Sequence, residues 1–479
     1  MSTVPSRTTE TEPRTRLSGE LGVMAVVFMV IAAAAPLTVI GGNVALSISL
    51  GNGSGAPAGF LIATVVMLLF AVGFVTMTPH VRQAGAFYAY VGKGLGDRAG
   101  VATAFLALVA YTAIQVAVWG YLGGVIRDLV ARYGGPSVPW PVWTALVLAL
   151  VAALGYRHID LSAKVLGVAL VLEILIVLVM DVAILVRGGE SGLTLAPFAP
   201  TNVFSGPLGI AVLFSVTGFI GFEATAVFRD EARDPERTIP RATYLAVLII
   251  GVFYTFSSWA MVQAWGMSAV KQEATDDTGG FMLNTAQLYV GTVLRDVMEV
   301  LLVTSLFACV LSFHNVIARY QFSLAERRVL PASLAGVHPR HHSPYRSSLV
   351  QTVTAALLIA LCAALQLDPL VQVFSVFAGI ATLGIVLLMM LTSVAVIVYF
   401  ARNPAPEHRG ALWTTRIIPV VALVGLTATL WLVLSNFPLV VAGGTTLAVC
   451  LGAIPFLALA LGAVVATRLG SRGVRLLRD

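Results

Sequence analysis

The sequence predicts an all-α membrane protein with twelve transmembrane helices. Of its 479 residues, 58% are hydrophobic and only 11% are charged, whereas about 25% of the residues of a typical soluble protein are charged. The apolar runs are long and continuous. A helix needs about 20 such residues to cross a bilayer, whereas a barrel strand needs roughly ten that alternate. The predicted spans are therefore helices, and the composition excludes a soluble globular protein.

Twelve apolar runs are long enough to be predicted as spans. They lie near residues 21–48, 57–79, 99–127, 139–156, 163–187, 207–228, 241–266, 296–319, 347–366, 371–400, 415–436 and 439–467. The first run is too long for a cleaved signal peptide and lacks a small-residue cleavage site followed by a soluble domain. We therefore expect it to be the first span.

The distribution of basic residues predicts the orientation of the chain. All but five of the 29 Lys and Arg residues fall on one side of the predicted spans. The exceptions are Arg127, Arg132, Arg187, Lys271 and Arg295. Because loops rich in Lys and Arg stay in the cytoplasm, we predict a multi-pass protein of the cell membrane with both termini cytoplasmic. Membrane orientation then explains the net charge of +6, and no nucleic acid partner is expected.

Two spans are predicted to lose their regular helical winding within the membrane. Span 1 contains Pro36, which removes a helical N–H, and then the weakening pair Gly41 and Gly42. Span 6 contains Gly218 and Gly221. In lipid, the freed backbone groups must find partners or line a cavity. A helix that restarts there presents N–H groups and the positive end of its dipole, so the breaks predict a site for a carboxylate.

The two broken spans occupy matching positions in two halves of the chain. Spans 1 and 6 each open a five-helix unit, as expected of an inverted repeat. The match lies in hydropathy and in the breaks, because no sequence identity between the halves is visible. The predicted organisation is a cytoplasmic tail at 1–20, repeats at 21–187 and 207–400, helices 11 and 12 at 415–467, and a cytoplasmic tail at 468–479.

Three motifs, in order along the chain, resemble a known family. They are residues 79–91 followed by Leu95-Gly96, the sequence GFIGFE at 218–223 with PERTIPRA at 235–242, and residues 318–331. These are similar to the helix 2–3 segment, to helix 6 with the 6–7 loop, and to the loop after helix 8 of the amino acid/polyamine/organocation (APC) superfamily, bacterial amino acid permease type. The resemblance implies a 5+5 inverted-repeat transporter that moves amino acids by alternating access.

The resemblance also implies which residues bind the substrate. Main chain at the two breaks is expected to bind its carboxylate and amino groups, at Pro36, Thr38, Val39, Gly41, Gly42, Asn43, Thr217, Gly218, Phe219, Gly221 and Phe222. Side-chain selectivity is expected from Thr38, Tyr111, Gln115, Phe219, Phe222, Phe313 and Phe374. Taken singly, each of these side chains is more simply explained by packing. The chain departs from many relatives in span 1, where an Ala-rich stretch and Pro36 replace Gly-Ser-Gly.

Two acids within apolar runs are candidates for coupling. A carboxyl at this depth costs about 3 kcal/mol on insertion scales, so it is rarely found without a partner or a function. The resemblance implies that protonation of Glu223 is coupled to opening of the transporter. Alternatively, Glu223 is an acid at a helix end that pairs with an arginine of the following loop. Glu173 lies near the place where sodium-independent relatives carry a helix 5 lysine instead of a sodium ion. It can carry a proton, hold a cation together with Ser312, or simply face a crevice or another polar group.

Other chemistry-bearing residues are interpreted as structural. The three cysteines lie in apolar runs, where free Cys behaves as a small hydrophobe. His338, His341 and His342 share a loop without acidic or cysteine partners, so no metal is expected there. No cofactor is expected. Trp119 and Tyr121, near the outer end of span 3, fit interfacial anchoring.

Several functions stay open. The nearest alternative is a polyamine or organic amine permease or antiporter. A cationic polyamine would need several acids, and only Glu173 and Glu223 are obvious, so a zwitterionic amino acid is favoured. A channel would need a continuous polar stripe, and a membrane enzyme would need clustered His, Asp or Ser groups at an interface. The sequence leaves open whether H⁺, Na⁺ or a counter-substrate drives transport. It also leaves open the direction of transport and whether the protein forms a homodimer.

Overall fold

The computed structural model describes residues 21–81, 86–157, 163–341, 343–404, 412–441 and 443–471. Within these ranges the secondary structure is helical, apart from an isolated bridge between Leu21 and Ala232. The predicted class, an all-α membrane protein, is confirmed. The tail 1–20, residues 82–85 of the first motif and His342 lie outside the described residues.

The long apolar helices agree closely with the predicted spans. In chain order they are α1 Val23–Ser49, α2 Gly53–His80, α3 Asp97–Arg132, α4 Trp140–Tyr156, α5 Ala163–Arg187, α6 Leu208–Ala226, α7 Pro235–Asp276, α8 Thr292–Glu326, α9 Tyr345–Ala364, α10 Pro369–Arg402, α11 Trp413–Val441 and α12 Thr445–Gly470. Shorter helices lie at Ala86–Leu95, Pro200–Val203 and Phe281–Tyr289.

Eleven of these described helices are long and apolar enough to cross a membrane. The exception is α4, whose 17 residues are at the short end of the range for a spanning helix. The count of twelve spans and the division into two inverted repeats therefore stay predictions.

Helix α1 is broken, and the break begins one residue before the predicted proline. Its first α-helical part ends at Ala34, and Ala35 adopts a left-handed conformation with φ 47° and ψ 70°. A proline disfavours the helical conformation of the residue before it, which places the break at Ala35. The chain then continues through Pro36–Thr38 into a π-helix at Val39–Val44. The glycine pair therefore lies in a widened helical turn.

Helix α6 is broken at the predicted glycines. Its α-helical part, Leu208–Thr217, ends in a turn over residues 218–221, and a 3₁₀-helix runs from Phe222 to Glu231. Gly221 has φ 110°, a conformation that only glycine adopts without strain. The glycine is therefore needed for the backbone to restart in a new direction.

The broken helices lie deep in the bundle. In the broken helices α1 and α6, 65% and 89% of the most apolar stretch is buried, whereas the value is 28% in both α11 and α12. Small residues allow the close helix contacts typical of membrane proteins. A Cβ at Gly384 of α10 would lie 2.8 Å from Ala110 Cβ of α3. Helices α11 and α12 thus border a core that encloses the two breaks.

Candidate functional site

Glu173 of α5 lies at the break of α1. Its Oε2 accepts a hydrogen bond from the main-chain N–H of Leu37 at 3.4 Å and another from the Ser305 hydroxyl of α8 at 2.9 Å. The hydroxyls of Thr38 and Ser305 are 3.3 Å apart. The glutamate is only 5% exposed. It therefore supplies the partner that main chain freed by a break requires in hydrocarbon.

Glu223 lies at the break of α6. Like Glu173, it accepts one hydrogen bond from main chain at the break and one from a hydroxyl of a neighbouring helix. Its Oε1 accepts a hydrogen bond from the Tyr111 hydroxyl of α3 at 2.7 Å, and its Oε2 accepts from the Gly221 N–H at 2.9 Å. The Tyr111 ring packs against Phe313 and Tyr320 of α8, with ring centroids 6.2 and 5.7 Å away. Among the described side chains, the partner of Glu223 is thus a tyrosine, where the alternative interpretation expected an arginine.

The two breaks contact each other. A Cβ at Gly218 would lie 3.0 Å from Val39 Cγ1 of α1 and 3.2 Å from the Tyr254 ring of α7. Asn43 donates a hydrogen bond through Nδ2 to the Phe214 carbonyl at 2.8 Å. The breaks of α1 and α6 thus face each other at one level, each with its own carboxyl.

A second contact joins α6 to α10. The Thr217 hydroxyl donates to the Leu213 carbonyl at 2.8 Å and lies within hydrogen-bond distance of the Thr382 hydroxyl. Phe219, two residues on, packs edge-on against Tyr254 with centroids 6.3 Å apart. Both predicted residues are buried beside the break.

The glycine pair of α1 packs against aromatic side chains. A Cβ at Gly41 would lie 2.6 Å from the Tyr121 hydroxyl, and one at Gly42 would lie 3.0 Å from Tyr121 Cε1. Tyr121 also packs edge-on against Phe374, with centroids 5.5 Å apart. Tyr121 is 2% exposed and Trp119 is fully buried. The prediction that these two residues are interfacial anchors is wrong, because α3 places both against neighbouring helices.

Two predicted selectivity residues already have partners within the protein. Gln115 accepts a hydrogen bond from Gln351 Nε2 of α9 at 2.6 Å and donates to the Val310 carbonyl at 3.2 Å. Phe222 packs edge-on against Phe70 of α2, with centroids 5.9 Å apart. Sequence periodicity did not reveal that these side chains point toward α9 and α2.

The serine beside Glu173 differs from the predicted one. Ser312 of α8 is exposed, and Ser305, two helical turns earlier, donates to Glu173. The two serines are seven residues apart, so they share a helix face but differ in depth by about 10 Å. The predicted pairing of Glu173 with Ser312 is therefore corrected: the serine that contacts Glu173 is Ser305.

Some residues at the breaks could hardly be identified as site residues from the sequence. Leu37 contributes only its main-chain N–H, which no side-chain pattern reveals. Ser305 and Thr382 are polar residues in apolar helices, a signal that many other Ser and Thr residues share. Tyr254, whose hydroxyl lies 3.5 Å from the Ala34 carbonyl, was also missed. Among the described residues, no group of three or more His, Cys, Asp or Glu is placed to hold a metal ion.

In this arrangement, a titratable carboxyl is hydrogen-bonded to the main chain at each of the two breaks. Each carboxyl accepts from an N–H that the break leaves without a helical partner. A carboxyl can hold or release a proton, and an N–H at a helix start can bind another anion in its place. The site can therefore exchange an internal carboxylate for one on a ligand.

Comparison with known proteins assigns the chain to a family. Residues 25–470 match the family described as amino acid permease. The chain is 26% identical over 315 residues to an uncharacterized transporter of Mycobacterium tuberculosis, a match that covers 64% of this chain and 66% of the relative, just under two thirds of its length. It is 25% identical over 371 residues to the branched-chain amino acid permease of Bacillus subtilis, covering 74% and 75%. It is 23% identical over 312 residues to a low-affinity putrescine importer of Escherichia coli, covering 63% and 66%.

Proposed function

The chain belongs to the amino acid permease family, and from this premise we propose that it is a secondary active transporter that carries amino acids across the cytoplasmic membrane by alternating access. One observation supports this most strongly. The breaks of α1 and α6 face each other, and each has a buried carboxyl bound to its main chain. A polar site enclosed by apolar helices suits a small zwitterion.

In the proposed binding mode, the substrate carboxylate binds main-chain N–H groups at the breaks. The Leu37 N–H, which now donates to Glu173, is one such group. The substrate amino group binds carbonyl oxygens at the ends of the broken helices, such as that of Ala34. A proton on Glu173 removes the repulsion between its carboxylate and that of the substrate. Substrate binding and proton binding thereby favour each other, which is the basis of proton coupling.

The breaks also provide the hinges for alternating access. A continuous helix transmits motion along its hydrogen bonds, whereas Ala35 and Gly221 interrupt α1 and α6. On the predicted cytoplasmic side, the Arg233 N–H donates to the Leu21 carbonyl at 3.1 Å. This bond joins the inner end of α1 to the chain after α6. We expect the two inner segments to move together while the outer segments stay packed.

Amino acids are favoured over polyamines because of the number of acids at the site. A diamine carries two positive charges and would need carboxylates free to pair with them. Glu173 and Glu223 are the acids at the breaks, and both already accept hydrogen bonds. The putrescine importer among the relatives makes polyamine import the second candidate. A channel or an enzyme is disfavoured because the helices break opposite each other within the bundle.

Uptake by purified protein in proteoliposomes tests the proposal. With an imposed proton gradient, acidic outside, we expect a labelled amino acid to accumulate inside above its outside concentration. A channel would only equilibrate the concentrations. Branched-chain amino acids and putrescine are the first substrates to compare. Equilibration without accumulation for every substrate, with or without a counter-substrate, would exclude a coupled carrier, and covalent change of the substrate would indicate an enzyme.

A further inference from the structure

Asp181 is another carboxyl buried in α5, and the proposed site does not include it. It is fully buried. Its Oδ2 accepts a hydrogen bond from the Ser257 hydroxyl of α7 at 2.6 Å. Its Oδ1 has no hydrogen-bond partner among the described residues, and none of their basic side chains pairs with it. An acid this isolated in a membrane helix points to a function.

Asp181 lies on the same face of α5 as Glu173. The two are eight residues apart, with buried Val177 between them, so they lie on one broad face, about 80° apart around the helix and about 12 Å apart along its axis. The helix ends at Arg187, which donates to the Leu288 carbonyl at 3.0 Å. In the predicted orientation this end is extracellular. Asp181 therefore lies between the outer surface and Glu173.

Two hydroxyl groups of α7 lie along the same stretch. Ser257 is bound to Asp181, and Tyr254, one turn earlier, interacts electrostatically with Glu173. The Tyr254 hydroxyl lies 3.5 Å from the carbonyl of Ala34, at the break of α1. Hydroxyl groups can both accept and donate a proton. The interface of α5 and α7 thus contains, between the two carboxyls, hydroxyl groups able to relay protons.

Among the described residues, no charged group pairs with Asp181. Helix α5 packs against α1, α7, α8 and the helix Phe281–Tyr289. Helix α1 has no titratable side chain. Among the described titratable groups of the other three, Tyr254 and Cys309 lie near Glu173, and the Tyr289 ring lies under the Arg187 guanidinium. A bare carboxylate is costly in such surroundings, and a proton on Oδ1 removes that cost.

We propose that Asp181 is a proton-binding site that takes a proton from the extracellular water and passes it to Glu173. Hydronium gives a proton to Asp181 Oδ1 and becomes water, and the carboxyl group then turns so that this O–H faces Ser257. The hydroxyls of Ser257 and then Tyr254 each accept a proton and give up their own, and the last proton reaches the Glu173 carboxylate. Only O–H bonds form and break. Asp181, Ser257 and Tyr254 return to their starting protonation states, and Glu173 ends as the protonated acid. This inference rests on the proposed proton-driven transport.

Proteoliposomes can separate proton transfer from substrate binding. For Asp181→Asn, we expect uptake driven by a proton gradient to fall about a hundredfold, the lower end of what a positioned proton-transfer group contributes. Exchange of labelled for unlabelled amino acid needs no net proton movement and should stay at the wild-type rate. Asp181→Glu keeps a carboxyl and should restore part of the driven uptake. Asp128→Asn, which changes an exposed acid of α3, is the matched control.

The outcomes distinguish this inference from the proposed function. Wild-type driven uptake in Asp181→Asn would overturn the role of Asp181 alone. Loss of exchange in both Asp181→Asn and Asp181→Glu would also overturn it, because the residue would then be structural. A wild-type protein that exchanges without accumulating under a proton gradient would overturn proton-driven transport itself.

A chemical measurement on the wild-type protein adds a readout that does not depend on a variant. Dicyclohexylcarbodiimide reacts with protonated carboxyls in apolar surroundings. We expect it to label Asp181 in the reconstituted protein, with labelling located by mass spectrometry and declining as the pH rises. An unlabelled Asp181 at every pH at which driven uptake occurs would contradict proton binding there.

Discussion

Glu223 receives its two hydrogen bonds from different helices. Tyr111 of α3 donates to one oxygen, and Gly221 of its own helix donates to the other. Any movement of α6 relative to α3 must therefore lengthen or break the tyrosine bond. A proton on the carboxyl changes which of these bonds can form. At the scale of a single residue, this links proton binding to the position of the α6 break.

Replacing Glu223 with Gln is expected to weaken the pH dependence of uptake and leave only the part that Glu173 contributes, since an amide keeps the shape of the carboxyl but cannot titrate in this range. The measurement is the initial uptake rate in proteoliposomes across a series of pH values. Tyr111→Phe removes one donor and keeps the carboxyl, so its uptake should stay pH-dependent with a changed midpoint. Unchanged pH dependence in Glu223→Gln would remove this residue from the mechanism.

Ser305 should matter more than Ser312. A hydrogen bond to a charged group contributes about 1.5–3 kcal/mol, so Ser305→Ala is expected to lower proton-driven uptake at least about tenfold. Ser312→Ala is the matched control, because its exposed hydroxyl does not reach Glu173 and the helix is otherwise unchanged. Equal rates for the two variants, each measured against wild type, would argue that Ser305 does not support Glu173.

The sequence identified both acids at the breaks but not their partners. A charged residue in an apolar run is visible without a structure, because hydrocarbon penalises it strongly. By that signal Asp181 was visible too, although it was not singled out. The depth and direction of a neutral polar side chain depend on which helices pack together. That is why the contacts of Ser305, Tyr254 and Tyr121 emerged only from the structure.

At the scale of helices, the break positions follow from a few residues. Pro36 and the glycines at 218 and 221 predicted which helices break. The structure adds that Ala35 takes the left-handed conformation, which costs about 1–2 kcal/mol for a residue with a Cβ. It also shows that Gly41 and Gly42 serve close packing against Tyr121, a role that backbone propensity alone does not reveal.

Gly218 is expected to tolerate no side chain. A Cβ there would lie 3.0 Å from Val39 Cγ1, and overpacking of this kind costs about 1–3 kcal/mol. Gly218→Ala should therefore lower both the thermal stability and the uptake rate. Gly167→Ala of α5 is the control, because its Cβ meets no atom within 4 Å and alanine favours a helix. A Gly218→Ala protein as stable and active as wild type would show that the two breaks are not in close contact.

At the scale of the whole molecule, burial is graded from the centre outward. Helices α3 and α6 are the most enclosed, and α11 and α12 are the least buried. Composition and apolar run length were sufficient to predict the class and the positions of the long helices, although α7 and α8 extend 10 and 7 residues beyond the predicted ends of their spans. They did not establish that α4 spans the membrane, because its 17 residues lie at the limit of the required length.

The substrate can be identified by stabilisation of the whole protein. A ligand that binds only the folded state raises its stability by about 2.7 kcal/mol at a hundred times its Kd. We expect at least one amino acid, and not putrescine, to raise the melting temperature of the purified transporter in a panel. Stabilisation by putrescine alone would favour the polyamine alternative. Gly167→Ala should respond as wild type does.

The most direct test is a structure determined with the stabilising amino acid bound. We expect the ligand to lie between α1 and α6, with its carboxylate about 3 Å from main-chain N–H groups at Leu37 and Thr38 or at residues 218–222. A ligand bound elsewhere, with both breaks unoccupied, would contradict it.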